Sequence, residues 1–220
     1  HAVVGRILEK CDPVSKVTII SRGMALGYTM NLPTEDRYLQ SKSEFEDKIA
    51  AMLGGNVAEQ LVFGDTTTGA SNDIEKATDL ARKMVTRFGM SEKLGTVTLG
   101  RQDEMIFLGR EIAQHTDYSE ETAVTIDSEV RRIVEAAHAR ALELLKDNLD
   151  KLHLLANTLL ERETIDGDQM DRVLRGETLG PILRSTDSDD SAPTAAAPTT
   201  TPDEDTSSGP GFAEPSPNPA

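Results

Sequence analysis

Apolar positions along the chain recur mostly at helical spacing, and they predict a mostly helical protein with one small β region near its start. Val3, Val4, Ile7 and Leu8 share a helical face, so residues 1–9 read as the continuation of a helix that Asp12-Pro13 ends. Residues 14–21 (Val-Ser-Lys-Val-Thr-Ile-Ile-Ser) are rich in β-branched side chains and read as a strand. Arg22-Gly23 turns the chain, residues 25–30 return as a second strand, and 31–36 form a loop. Ser43 with Glu46 reads as a capping box. It opens a helix on Phe45, Ile49, Met52 and Leu53 that pauses at Gly54-Gly55, resumes through Val57, Ala58, Leu61 and Val62, and closes at Gly64-Asp65.

The next helix is the most clearly marked. Asn72 with Glu75 forms a second capping pair, Ile74, Ala77, Ala81, Met84 and Phe88 follow at helical spacing, and Gly89 supplies the stop. Residues 90–116 are less regular, with a short strand expected near 97–99. Residues 119–148 form a long amphipathic helix on Ile126, Val130, Ile133, Ala137, Ala141 and Leu144. Another carries Leu149, Leu152, Leu155, Leu159 and Leu160 into Arg162. A third starts at Asp166, with Gln169 as capping partner, and uses Met170, Val173 and Leu174 before Gly176. The short connections imply antiparallel packing.

After residue 184 the pattern stops. Residues 185–220 hold seven of the ten prolines, with Ser, Thr and Ala and a single aromatic, Phe212. Such a segment buries too little apolar area to offset its ordering entropy. The expected organisation is one domain over 1–184 and a disordered acidic tail over 185–220.

Composition adds four constraints. There is no Trp and there are only three Tyr and five Phe, so the core must be aliphatic. Net charge is -15, and seven acids without a compensating Lys or Arg lie in the tail (Asp187, Asp189, Asp190, Asp203, Glu204, Asp205, Glu214). That balance excludes nonspecific nucleic-acid binding, which needs clustered cations. No apolar run approaches the about 18 residues of a membrane helix, and the first residues do not resemble a signal peptide. Cys11, the single cysteine, has no disulfide partner in the chain and fits a reducing compartment; it reads as a small half-buried residue rather than a metal ligand.

The remaining chemistry is ordinary taken residue by residue. A first-position histidine, His1, is explained by a tag remnant or by where a longer chain was cut. His115, His138 and His153 share no metal-ligand spacing. Asp73 sits where a helix dipole favours an acid by about 0.3–1 kcal/mol. Glu59, Asp65, Glu75 and Asp79 compete with it as candidate ligands.

Several segments, in order, resemble the protease domain of the FtsH-type family of membrane-anchored, ATP-dependent zinc metalloproteases. They are Lys16-Val17-Thr18-Ile19-Ile20-Ser21-Arg22-Gly23, Ala25-Leu26-Gly27-Tyr28-Thr29, Leu32-Pro33-Thr34-Glu35-Asp36-Arg37 and Leu53-Gly54-Gly55-Asn56-Val57-Ala58-Glu59-Gln60. Thr68-Gly69-Ala70-Ser71-Asn72-Asp73-Ile74, then Met84-Val85 and Phe88-Gly89-Met90-Ser91-Glu92-Lys93-Leu94-Gly95, continue the likeness. Phe107-Leu108-Gly109-Arg110 and Glu163-Thr164-Ile165-Asp166 complete it, so that it covers residues 1 to about 176.

The resemblance implies a zinc endopeptidase whose metal is held by His-Glu-x-x-His on one helix and a distant Asp. Histidines at i and i+4 share a helix face, and the intervening Glu serves as general base. His1-Ala2-Val3-Val4-Gly5 matches the end of that motif, so His1 corresponds to its second histidine and Asp73 to the third ligand. The first histidine and the base would lie four and three positions before residue 1, which implies that this fragment alone is inactive. The resemblance further implies zinc and ATP as cofactors, with ATP used in an upstream module. It implies unfolded or membrane-protein substrates, a homo-hexameric ring, and a plasma-membrane anchor with the peptidase on the cytoplasmic side. The strand over 14–21 would either offer an edge to an extended substrate or form an ordinary core strand pair. A non-catalytic helical oligomerisation module, or a pseudo-protease with a chaperone-like role, are the alternatives.

Overall fold

The first and third helices are laid on α2 (Lys42–Phe63). The computed structural model describes residues 1–21, 27–32, 39–100 and 118–180, all within a unit spanning His1–Ile182. Among these residues the chain also forms α1 (Ala2–Ile7), α3 (Ser71–Thr86), α4 (Glu120–Asp147), α5 (Leu149–Arg162) and α6 (Gly167–Leu174). Three short strands complete the set: β1 (Val14–Thr18), β2 (Tyr28–Asn31) and β3 (Thr164–Asp166). The protein is mostly α with a small sheet, as the periodicity predicts. No helix among the described residues is long and apolar enough to cross a membrane. The expected boundary at 184, the tail over 185–220, His115 and the segment 107–110 lie outside the described residues, as do the turn at Arg22-Gly23 and most of the loop over 31–36.

α2 departs from expectation at both its start and its middle. Ser41, not Ser43, is the N-cap: its hydroxyl accepts from the Glu44 N–H at 3.3 Å while Glu44 reaches back to the Ser41 N–H. Ser-x-x-Glu fits the sequence in both frames, and the chain uses the earlier one, which leaves Glu46 half-buried near Arg132. The helix does not pause at Gly54-Gly55. It runs unbroken to Phe63, where Gly64 takes the left-handed conformation (φ 68) of a helix stop. Its buried face, Phe45, Ile49, Ala50, Leu53 and Val57, packs against α1, α3 and α4.

α3 likewise starts earlier than expected. A single 3-10 turn, Thr68–Ala70, runs directly into it with Thr67 as cap, so Asn72 is an interior residue of the first turn rather than a cap. Its buried line is Ala77, Ala81, Met84 and Val85. Ile74 and Phe88 are exposed at the two ends, Phe88 stacking on Phe45 with ring centroids 5.3 Å apart. Residues 97–99 form no strand; the Leu99 N–H instead donates to the Thr86 carbonyl at 2.8 Å.

α4 buries Ile126, Val130, Ile133, Ala137, Ala141 and Leu145, with Leu145 taking the place assigned to Leu144. One residue, Asn148, separates it from α5, yet the expected antiparallel pairing is not the main contact. α4 packs on α1, α2 and α3, whereas α5 packs on α6 and β3. Of its leucines, Leu155 and Leu159 are buried and Leu160 is exposed. α6 has the predicted capping box of Asp166 and Gln169 and buries Met170 and Val173.

The sheet order is β2-β1-β3, antiparallel throughout, with Val17 opposite both Thr29 and Ile165. Of the two readings of this strand, the core pairing holds and the substrate-accepting edge does not, because β1 is paired on both sides over 16–18. The missed partner is β3, three residues long and too short to show a period. Glu163 (φ 62) makes the abrupt exit from α5, and its carbonyl accepts from the Ile19 N–H at 2.9 Å. Arg6 on α1 then reaches Asp171 on α6 through two bonds of 2.5 and 2.8 Å, which lowers the Asp171 pKa and ties the first helix to the last.

Candidate metal centre

His1 is the N-cap of α1, its carbonyl accepting from the Gly5 N–H at 2.8 Å, so the imidazole leaves the helix at its first turn. Burial of Ala2, Val3, Val4 and Leu8 fixes that helix against its neighbours. The ring then lies over α2. Its Nδ1 is 2.9 Å from the Ala51 carbonyl oxygen. A carbonyl only accepts, so Nδ1 carries the proton in that bond and the neutral ring keeps its lone pair on Nε2. This is the outer bond by which metal-binding histidines are usually oriented.

Asp73 is the third residue of α3, beside the unpaired N–H groups of its first turn. Its position follows from the turn before it. Glu59 on α2 accepts from the Thr67 N–H at 2.7 Å and from the Thr67 hydroxyl at 3.0 Å, and the Thr67 Oγ1 accepts from the Gly69 N–H at 3.2 Å. The carboxylate of α2 thereby fixes the point from which α3 departs.

The outcome is that His1 Nε2 and Asp73 Oδ2 lie 3.2 Å apart, with the side chains 38% and 34% exposed. Two residues 72 positions apart in sequence present an imidazole nitrogen and a carboxylate at one solvent-accessible point. Tetrahedral zinc, with N and O ligands at about 2.0–2.1 Å, separates neighbouring donor atoms by about 3.3 Å. The donor types and their spacing fit that ion. Structural and catalytic zinc sites use three or four protein ligands. Among the described residues no group of three or more His, Cys, Asp or Glu is placed to hold a metal.

The competing candidates are accounted for. Glu59 is engaged by Thr67, and Asp65 accepts from the Thr66 N–H at 2.7 Å. Glu75 and Asp79 are exposed along α3. His138 and His153 lie on α4 and α5. Cys11 is half-buried, and burial together with Asp47 and Asp12 pushes its thiol up to about 11, so it is a protonated thiol at neutral pH. The Ala51 carbonyl and the Glu59–Thr67 clamp went unread in the sequence, because a backbone acceptor has no sequence signature and the clamp joins two elements through a loop.

Glu59→Ala is expected to loosen the turn without unfolding the domain. Exchange of the amides over 67–73 should quicken by tenfold or more, with a stability loss of about 1–2 kcal/mol, as for charged hydrogen bonds near solvent. Unchanged exchange in hydrogen–deuterium mass spectrometry would refute the clamp.

A sequence model of the family described as Peptidase family M41 matches residues 1–173. The chain belongs to peptidase family M41. This M41 chain is 54% identical over 179 residues to the ATP-dependent zinc metalloprotease FtsH 1 of Thermoanaerobacter sp., covering 81% of the chain and 29% of the relative. It is 53% identical to the ATP-dependent zinc metalloprotease FtsH of Magnetococcus marinus, covering 84% and 27%. With the protein of the same name from Acidobacterium capsulatum, identity is 47% over all 220 residues and 34% of the relative. The M41 chain thus spans about a third or less of the length of these relatives.

Proposed function

We propose that this chain is the peptidase domain of an ATP-dependent zinc metalloprotease, with the domain over 1–184 followed by a passive acidic extension over 185–220. One observation carries the reading: in an M41 chain, an imidazole nitrogen and a carboxylate from different helices meet 3.2 Å apart. His1 and Asp73 would hold the ion. When bound, zinc supplies Lewis acidity and brings the pKa of water toward neutrality.

The chain's own residues do the positioning. Ala51 holds the His1 tautomer that leaves Nε2 free, and Glu59 through Thr67 holds the start of α3 and with it Asp73. The first histidine and the general-base glutamate come from the four positions before His1, so cleavage needs those residues. ATP hydrolysis belongs to an upstream module that feeds unfolded and membrane-protein substrates to the site. The whole protein works as a homo-hexamer anchored in the plasma membrane, its peptidase on the cytoplasmic side.

A version extended upstream through the nucleotide-binding module is expected to carry one zinc per chain and to degrade casein only with ATP. The 220-residue chain by itself should degrade none. An extended protein that hydrolyses ATP yet holds no zinc and cuts nothing would favour the pseudo-protease. One lacking both activities would favour an oligomerisation module.

A further inference from the structure

Gly54 and Gly55 sit in the middle of α2, where glycine is the least favoured residue after proline and where the helix neither bends into a turn nor ends. What each leaves room for differs. A Cβ at position 54 would meet Val4 Cγ2 at 3.1 Å, the His1 main-chain nitrogen at 3.3 Å and Val4 Cβ at 3.4 Å. Val4 is fully buried, so Gly54 lets two helix backbones approach. The three atoms nearest to a Cβ at position 55 all belong to the imidazole of His1: Cε1 at 3.0 Å, Cδ2 at 3.1 Å and, nearest of all, Nε2. Nε2 is the atom that faces Asp73. The same turn of α2 supplies the Ala51 carbonyl to the other side of that ring.

We infer that Gly55 is a positioning residue for His1: together with the Ala51 carbonyl it forms a seat that admits the imidazole in one orientation, Nε2 toward Asp73. This deepens the reading of His1 as a metal ligand and rests on it. An alanine methyl at 55 overlaps the far end of a partly exposed side chain rather than backbone or core. The ring can therefore swing into solvent, and the helix survives. In swinging out it loses the Ala51 bond and carries Nε2 away from Asp73.

Gly55→Ala thus separates stability from metal binding, and the two should move in opposite directions. In the 220-residue chain, thermal unfolding should shift up by about 2–4 °C, the usual gain of Ala over Gly inside a helix. The imidazole nitrogen shifts of His1 in NMR spectra should change from a single Nδ1–H tautomer to the averaged values of a free ring. In the upstream-extended protein, zinc affinity should fall on the order of 100-fold, at the upper end of what outer supports of a ligand contribute. Gly54→Ala is the contrast: it should lower the unfolding midpoint, because Val4 must give way.

A Gly55→Ala protein that kept the Nδ1–H tautomer and bound zinc as tightly as its parent would overturn the inference. Failure of the underlying reading looks different. The unmodified extended protein would bind no zinc, or His1→Ala would bind it as well as the parent, whatever happens at position 55. A lowered midpoint in Gly55→Ala would also count against the seat, since it would make Gly55 a packing residue like Gly54.

Discussion

Asp73→Asn in the upstream-extended protein is expected to strip the bound zinc and to lower casein cleavage by more than the 10–100-fold that outer partners of a metal site cost. ATP hydrolysis should stay within about twofold of the parent. The substitution is informative because Asp73 has two jobs on offer. As an acid in the first turn of α3 it stabilises the helix by about 0.3–1 kcal/mol through the unpaired N–H groups. Asn forgoes only that small charge contribution, so a purely helical role predicts a loss of at most about 1 kcal/mol and full activity. As a ligand it gives a charged oxygen 3.2 Å from His1 Nε2, and a neutral amide is a poorer ligand for a dication than a carboxylate. Zinc content by mass spectrometry and cleavage rate, measured on the same preparation, decide between the two. Retention of both zinc and activity would remove Asp73 from the site.

The second large effect concerns a carboxylate with no part in the chemistry. Glu129, in the middle of α4, is 1% exposed. It accepts from Arg132 at 3.1 Å through both oxygens, from the Ser91 hydroxyl at 2.9 Å, and pairs with Lys93 at 3.1 Å. Ser91 Oγ in turn accepts from the Leu94 N–H at 3.3 Å. One buried charge therefore pins the segment that follows α3. The bonds from Arg132, then those from Lys93 and Ser91, outweigh burial and pull its pKa down to about 2 from 4.5.

Because the folded-state value is depressed, the stabilisation is complete above the unfolded value near 4.5 and fades as pH falls toward 2. With cations that are half-exposed and screened, its size is about 2–3 kcal/mol. Glu129→Ala leaves the Ser91 hydroxyl buried without its partner and should cost about 3 kcal/mol at pH 7, or roughly 6–12 °C in unfolding midpoint. Glu129→Gln should flatten the acid limb of the stability curve between pH 4.5 and 2. An acid limb identical to that of the parent would show that the buried charge is not what titrates there.

Element identity was legible wherever the apolar period was long. α3, α4 and α5 each follow from three or more repeats, and α6 is bounded by the Asp166–Gln169 box seen in both sequence and structure. Boundaries were less so. Ser41 and Ser43 both stand three before a Glu, and only the backbone decides which one caps. Gly54-Gly55 carried a true signal that was given the wrong meaning, since a glycine that admits a neighbouring side chain and one that breaks a helix are spelled alike.

Long-range effects were invisible to spacing rules. Ile74 and Phe88 continue the helical stripe of α3 beyond the ends of the core that covers it. β3 is three residues whose partner lies about 150 positions earlier. Glu129 reads as a surface acid between Ser128 and Val130, because only the folded chain brings Ser91, Lys93 and Arg132 around it. The site itself divides the same way. Residue types at positions 1 and 73 could be proposed from a family likeness, while the Ala51 and Gly55 seat required coordinates.

The pairing of Lys16 with Asp166 and of Thr18 with Thr164 has a consequence for how the molecule is made. On a ribosome the early strand emerges long before its second neighbour, and for that interval its N–H and C=O groups on one side are satisfied only by water. The domain cannot complete its folding until about residue 171 has cleared the exit tunnel. Synthesis stalled or clipped before that point would release a chain with an open hydrogen-bonding edge, the feature that other polypeptides most readily extend into aggregates.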